Sequence, residues 1–492
     1  MSFAGTSSQP EFLAVIIVGF GEQLRPLTSN NGDEASPKAM LPVANKPLIS
    51  FPLTWLEEAG VTDVLVLCPE SHANAISNYL ASDASSSSFP TLTIATHTFD
   101  DAYRTDPSKG PCTVLKQFAH KITSDFIILP CDFIPPPTLP LSSLLDKFRL
   151  DTDGLILASL FYQVPAPSER VALVPNDLFE DPPVVIYDEA SCTLLQIDDS
   201  DDTEGEVDVR SAVLWQYPHA QLASDLVDSH VYVCRRCVLE TLSAHRFQSI
   251  RADLLPWLIE VPTRAHRRRR WAPALGAVPR AARTTLEHST GHLLHARNTD
   301  VATRGDDPES RAASPTDDGT APEGSMRTTV LVHPLARGPA LRANTLSALL
   351  EANRAALPQA GATFAAAQGQ EVDPKAQLAT NVLLGASSRI GERTTVKQSV
   401  IGAHCIIGKN VKISGSVLMD HCVVKDGAKI DGCILGARTS VGEKASLVQC
   451  FTQPGYEIAD NEAIKAEKVD RMDEAWDEED NGEEDASDDA SD

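Results

Sequence analysis

Two rhythms of apolar and polar positions divide the chain. From Phe12 to Phe133, short apolar runs alternate with segments that are apolar on one helical face. Phe12–Val18 is apolar throughout, as suits a strand buried on both faces. Leu48–Ala59 has helical spacing and stops at Gly60. Val64–Leu67 then reads as a strand, Ser71–Leu80 as a helix, Ser82–Ser88 as a polar loop, and Leu92–Ala95 and Phe126–Leu129 as further strands. This alternation predicts an α/β domain with a mostly parallel sheet covered by helices. Ligands of such sheets bind beyond the carboxyl ends of strands, where Gly19–Gly21 and Cys131-Asp132 both fall. Asp225–Val233 and a helix-like Arg251–Val261 close the domain.

The second rhythm is a repeat. From Val372 a hexapeptide rule holds, and from Leu384 a period of 17 appears. Leu384, Ile401, Leu418 and Leu435 form one column. Ile390, Ile407, Val424 and Val441 form a second, and Val396, Ile413, Ile430 and Leu447 a third. Each period divides as six, six and five, three sides of a triangular coil. Small residues fill the corners, in the columns Ser388, Cys405, Cys422, Thr439 and Ser399, Ser416, Cys433, Cys450. This is the pattern of a parallel β-helix, with equivalent residues stacked about 4.8 Å apart. The period alone does not set the hand of the coil. It does explain four of the ten cysteines as packing residues.

Between the two lies a change of character. Arg264–Gly324 is rich in Arg, then in Pro, Asp, Ser and Thr, without apolar periodicity, and reads as a linker or insertion. Its run His266–Arg270 would suit a nucleic-acid or nuclear-import patch, although a fortuitous basic loop is the preferred reading. Thr328–Pro334 follows as a strand, and Asn344–Leu357 as an amphipathic helix with Leu346, Leu349, Leu350 and Leu357 on one face. The expected organisation is a flexible start over 1–10, an α/β domain over 11–262, and a disordered linker over 263–327. A connecting strand and helix over 328–371, the β-helix over 372–458 and an acidic disordered tail over 459–492 complete it.

Charge refines this picture. The 492 residues carry a formal net charge of −26, which argues against bulk nucleic-acid binding. Asp470–Asp492 holds 13 acidic residues and one Arg, a composition that solubilises or docks on a basic partner. Asp198–Asp208 reads as an exposed acidic loop. The polar opening MSFAGTSSQPEF is unsuited to secretion and no stretch approaches a membrane span, so a cytosolic protein with reduced thiols is expected.

Chemistry concentrates near the start. Phe12–Val18 ends in Gly19-Phe20-Gly21, where a turn would aim backbone N–H groups at an anion. Pro26-Leu27-Thr28, Pro37-Lys38 and Asn45-Lys46-Pro47 follow, and the wording resembles the sugar-nucleotide pyrophosphorylases, whose opening reads GGxGTRLxPLT…PKPMLPVxNKP. Two positions depart. Gln23 stands where that family has its phosphate-neutralising Arg, and Glu22 replaces Thr. Phosphoryl chemistry depends on cationic stabilisation, which Gln does not supply; Arg25 is expected to point elsewhere. The resemblance assigns phosphate contact to Gly19, Gly21, Gln23 and Lys38, and a metal to Asp132, which follows the strand FIILP. The family's second metal Asp and its sugar-binding Glu-Lys-Pro segment are missing. No catalytic residue, cofactor or bound metal is therefore expected, and the cavity reads as vestigial. Cys234 and Cys237 read as a strand end entering a helix, and His288, His292 and His295 lack a carboxylate partner. His404 and His421 read as a polar outer column with Ser387 and Arg438.

A transferase-like domain joined to a hexapeptide β-helix resembles the nucleotidyltransferase-like subunits of eukaryotic translation initiation factor 2B. The resemblance rests on SDFIILPCDF (Ser124–Phe133), LVDSHVYV (Leu226–Val233), SIRADLLPWL (Ser249–Leu258), LRANTLSALLEANR (Leu341–Arg354) and SVIGAHCIIG (Ser399–Gly408). It implies a left-handed coil and a gamma-type subunit, because only Asp470–Asp492 follows Val469 where the epsilon type adds a helical exchange domain. By that resemblance the chain is a pseudo-enzyme that acts with the epsilon and other subunits to exchange GDP on initiation factor 2, without contacting nucleic acid or membrane. The alternatives are mannose-1-phosphate guanylyltransferase, or an inactive homologue that senses sugar nucleotides.

Overall fold

The computed structural model describes residues 11–29, 36–82, 88–106, 109–151, 154–165, 182–198, 209, 211–275, 326–360, 371–379 and 381–469. The acidic segment 199–208, the histidines at 288, 292 and 295 and the tail 470–492 lie outside them. The N-terminal domain is built on a ten-stranded sheet. From edge to edge its strands begin at residues 220, 184, 193, 327, 155, 226, 125, 12, 63 and 93. Phe12–Ile17 lies parallel between Asp63–Pro69 and Asp125–Pro130, with Thr93–Phe99 beyond. The period-two geometry of a strand sends Ala14 and Ile16 into one buried layer and Val15 into the other, which is why the whole run is apolar.

The expectation of a mostly parallel sheet holds only for that half. Leu226–Cys234 runs antiparallel to both Asp125–Pro130 and Leu155–Gln163, and the hairpin strands Val184–Asp188 and Thr193–Asp198 add further antiparallel pairs. The strand Arg327–His333, read from the sequence as part of a connector, pairs in parallel with Leu155–Gln163 and touches the hairpin at Thr193. Its apolar residues resemble those of any buried strand, and nothing in their spacing names a partner far back along the chain. The sheet is therefore mixed and the domain takes a strand from beyond the basic run.

That run is also more ordered than its composition implies. Ala265–Leu275 is a helix, not linker. Trp271 and Leu275 are buried, with Trp271 against His245 and Trp257 at ring distances of 5.4 and 5.3 Å. Arg264 and Arg267 both pair with Glu260, at 2.7 and 2.6 Å, so part of the basic run serves local packing.

The C-terminal domain is a left-handed β-helix of three parallel six-stranded sheets. The three apolar columns pair in register as the repeat requires, for example Ile390 with Ile407, Ile407 with Val424 and Val424 with Val441. Two differences appear at its ends. Val372 and Leu378 pair with residues 18 positions later, so the first coil holds one extra residue. Strands at Ala463–Lys465 and Lys468–Val469 carry the coil past 458, into residues expected to belong to the tail. Gly385 marks where coils approach most closely, since a Cβ there would lie 2.3 Å from the Gly402 carbonyl carbon. Cys405, Cys422, Cys433 and Cys450 are fully buried, and the Cys405 and Cys422 thiols each reach a carbonyl on the next coil at 3.2 Å. His404 and His421 stack at 5.1 Å on the exposed corner, both with left-handed backbone, as do Ser387 and Arg438.

The helix Leu346–Ala360 joins the domains. Leu346, Leu349, Leu350 and Leu357 are buried as its spacing predicts. They share one apolar cluster with Leu24, Leu27, Leu41, Val43 and Leu48 of the first domain and Val400, Val417, Met419 and Ile434 of the β-helix. Asn353, 1 % exposed, accepts from the Ala44 N–H at 2.9 Å and donates to the Pro42 carbonyl at 3.3 Å. Asn45 donates to the Ile401 carbonyl at 3.0 Å. The Asn45-Lys46-Pro47 motif thus forms one side of a hairpin, Pro42–Val43 with Lys46–Pro47, pressed against the β-helix.

Candidate functional site

Gly19, Gly21, Gln23, Lys38 and Asp132 all line one cavity of about 320 Å³ beyond the carboxyl ends of Phe12–Ile17 and Asp125–Pro130. Gly21 turns the chain with φ 78°, and a Cβ on it would meet Lys38 Cβ and Thr28 Cγ2 at 3.0 Å. Thr28 Oγ1 donates to the Gly21 carbonyl at 2.8 Å and closes the loop. The loop therefore brings the Lys38 stem against its own backbone. Lys38 enters the cavity from a short turn, Lys38–Met40, behind Pro37.

The polar groups do not stand as a phosphate loop would place them. Lys38 Nζ lies 2.6 Å from Asp132 Oδ2 and donates to Asn344 Oδ1 at 2.5 Å. Arg342 Nη2 lies 3.4 Å from the same Asp132 oxygen. Gln23 faces sideways and accepts from the Asn344 side-chain amide. Glu22, on the rim, is neutralised by Arg104 at 2.5 Å and Arg25 at 3.1 Å. Burial alone would raise the Asp132 pKa; the charges of Arg342 and Lys38 outweigh it and hold the carboxyl well below the usual carboxylate range. Asp132 Oδ1 is buried and has no hydrogen-bond partner.

Arg342 and Asn344 belong to a strap that the sequence does not announce as part of the site. Leu341–Arg342 pairs with Phe133–Ile134, and the Ala343 N–H donates to the Asp132 carbonyl at 2.9 Å. The strap is thereby locked beside Asp132, and its chain continues directly into Leu346–Ala360. The available signal was polar Arg and Asn just ahead of an amphipathic helix, but 210 residues separate Arg342 from Asp132 and no spacing rule links them.

His230 and Tyr232 were missed as well. A bulge between Asp228 and Val231 puts His230 in left-handed backbone, φ 58°, on the cavity wall. Such strain collects where a side chain must be re-aimed. Burial keeps the His230 pKa well below the ordinary value, so the ring is neutral, and its Nε2 has no hydrogen-bond partner. Beneath it, Tyr232 donates to Asp228, whose carboxyl is pushed up to about 6 by burial. Cys234 and Cys237 sit at the end of the same strand and before the helix Val238–Ala244; burial pushes both thiols up, Cys237 to about 11.

The transferase resemblance implies Mg²⁺ on Asp132, and the residues do not fit it. Oδ2 already carries two protein cations. A dication on Oδ1, roughly 5 Å from each of them, would meet about 7 kcal/mol of repulsion from either at an effective dielectric near 20. Among the described residues, no group of three or more His, Cys, Asp or Glu is arranged to hold a metal. The lysine ammonium neutralises the carboxylate that a metal would require.

Comparison with known proteins agrees with this architecture. Residues 13–169 match the family described as Nucleotidyl transferase, and residues 364–464 match the EIF2B subunit epsilon LbH domain. The translation initiation factor eIF2B subunit gamma of Schizosaccharomyces pombe is 32% identical over 256 residues, 51% of each chain. The chain resembles the gamma subunit of eIF2B. The Caenorhabditis elegans gamma subunit is 27% identical over 226 residues, 45% of this chain and 52% of that one. The epsilon subunit of Dictyostelium discoideum is 23% identical over 249 residues, 50% of this chain and 33% of that one. The chain spans about half the length of the gamma subunits it matches. No helix among the described residues is long and apolar enough to cross a membrane.

Proposed function

We propose that this chain is a non-catalytic, gamma-type subunit of the cytosolic complex that exchanges GDP for GTP on translation initiation factor 2, working with the epsilon subunit. The observation that carries the reading is the pairing of a nucleotidyltransferase domain with an LbH domain of the eIF2B type, in a chain similar to gamma subunits. The cavity supports the absence of transfer chemistry, because Asp132 is ion-paired to Lys38 and Arg342 and Gln23 holds Asn344.

A subunit of this kind needs no acid, base or nucleophile. Exchange is promoted by binding the nucleotide-free G protein more tightly than the GDP-bound form. The contribution of this chain would be a rigid platform: a sheet and a coil fastened through Asn45 and the shared apolar cluster, presented to the epsilon subunit as one surface.

Coexpression tests the role. The chain alone is expected to give no exchange on initiation factor 2, and the chain with epsilon to copurify and exceed epsilon alone. An unchanged epsilon rate would remove the proposal. Mg²⁺-dependent formation of a GDP-sugar by the isolated chain would instead establish the guanylyltransferase alternative.

A further inference from the structure

A chain with a formal net charge of −26 nevertheless exposes a run of arginines on the helix Ala265–Leu275. We infer that this helix is the docking face for the chain's own acidic tail, residues 470–492, held by Arg269 and Arg270 and by the aromatic rings beside them. The contact is independent of any role in nucleotide exchange.

Trp271 and Leu275 fasten the helix to the domain, while His266, Arg268, Arg269 and Arg270 are exposed. Glu260 takes Arg264 and Arg267. Among the described residues, Arg269 and Arg270 form no ion pair; Arg270 rests over the Trp271 ring at 5.8 Å. The positive field reaches the neighbouring ring: burial lowers the His245 pKa, and the charges of Arg270 and Arg267 lower it further. Half-buried Phe247 and Trp257 close on His245 at 5.1 and 4.9 Å, so an aromatic surface borders the cations.

The tail matches that face in charge, chemistry and reach. Its 23 residues hold 13 acids, one Arg and Trp476. An indole stacks on a guanidinium plane while flanking carboxylates pair with its N–H groups. The acidic segment 199–208 holds six acids and no aromatic, and is the poorer match. Lys468–Val469 pairs with Phe451–Thr452, and Phe451 packs against the cluster that joins the domains. The tail therefore leaves the coil on the side turned to the N-terminal domain. Extended, its 23 residues span about 75 Å, against about 50 Å across a compact domain of this size.

Arginine footprinting of the full chain with phenylglyoxal, read by mass spectrometry, tests the contact. The comparison is a variant carrying Asp473→Asn, Glu474→Gln, Asp477→Asn and Glu478→Gln. All four positions lie outside the described residues, so no packing contact described above is disturbed. At about 0.1 M salt, Arg269 and Arg270 should react roughly threefold more slowly in the parent than in the variant. The two rates should converge near 1 M salt, where the screening length is about 3 Å. Exposed Arg337 is the internal reference and should react alike in both. Equal rates at Arg269 and Arg270 in about 0.1 M salt overturn the inference, as does an equal change at Arg337. Protection that rises with protein concentration would make the occupant a second copy. Protection lost instead on neutralising Asp201, Asp202, Glu204 and Glu206 would make it the segment 199–208. A short RNA that shields Arg269 and Arg270 equally in both forms would assign the face to nucleic acid. Each of these three results overturns the contact with the tail.

Discussion

Asn353 is the place where a small change should loosen the Pro42–Pro47 hairpin from the helix Leu346–Ala360. Its side chain makes hydrogen bonds to Ala44 N–H, the Pro42 carbonyl and the Leu349 carbonyl, all in a setting 1 % exposed. Asn353→Leu keeps the volume and removes the polarity. The Leu349 carbonyl retains its helical environment, whereas the hairpin loses partners for Ala44 and Pro42. Each lost hydrogen bond is worth about 1 kcal/mol, and leaving its buried partner unsatisfied raises the loss, so the total is about 3 kcal/mol. Since 1.4 kcal/mol is a factor of ten, the hairpin should open roughly a hundredfold more often. Amide hydrogen exchange followed by mass spectrometry over residues 41–48 reads that opening directly. The rest of the sheet should exchange as before. A rise below threefold would mean that the apolar cluster around Leu349 and Val417 holds the hairpin without help from Asn353, and the reasoning would fail.

The Asp228 carboxyl gives a pH prediction. Its folded pKa is pushed up to about 6, above the roughly 3.9 of an unfolded chain, so the folded state binds the proton more tightly. Its contribution, about 3 kcal/mol, is complete below pH 4 and is lost as pH rises through 6. Urea melts of Asp228→Asn should accordingly show a flatter pH dependence between 4 and 6 than the parent; an identical slope would remove Asp228 as the cause. In the β-helix, Ile413 is fully buried, and Ile413→Ala should cost about 3 kcal/mol, seen as a lower melting temperature for the C-terminal transition.

What the sequence discloses depends on whether a contact recurs. The coils are legible because Ile390, Ile407, Val424 and Val441 report the same packing position repeatedly. Their ends are not, because an 18-residue first coil and the outer strands at 463 and 468 break the period. The half of the sheet around Phe12–Ile17 follows from strand and helix alternation. The antiparallel half does not, since Leu155–Gln163 is mostly apolar and buried along all but its last residue, and carries no signature of direction. In the cavity, Gly19, Gly21, Lys38 and Asp132 were visible through motif wording. Gln23 was visible as a lost charge, yet Arg342 restores one from a distant segment, which a local comparison of the loop does not reveal. The helix Ala265–Leu275 was hidden by its arginines, because Trp271 and Leu275 alone supply its buried face.

The late strand Arg327–His333 has a consequence for synthesis. Leu155–Gln163 and the Val184–Asp198 hairpin flank the slot it fills, and both leave the ribosome more than a hundred residues earlier. At about 5–20 residues per second, the nascent domain waits on the order of ten seconds with an open, apolar gap in its middle. During that interval the gap is a ready template for a stray strand, so yield should depend on elongation speed and chaperones more than on the stability of the finished fold.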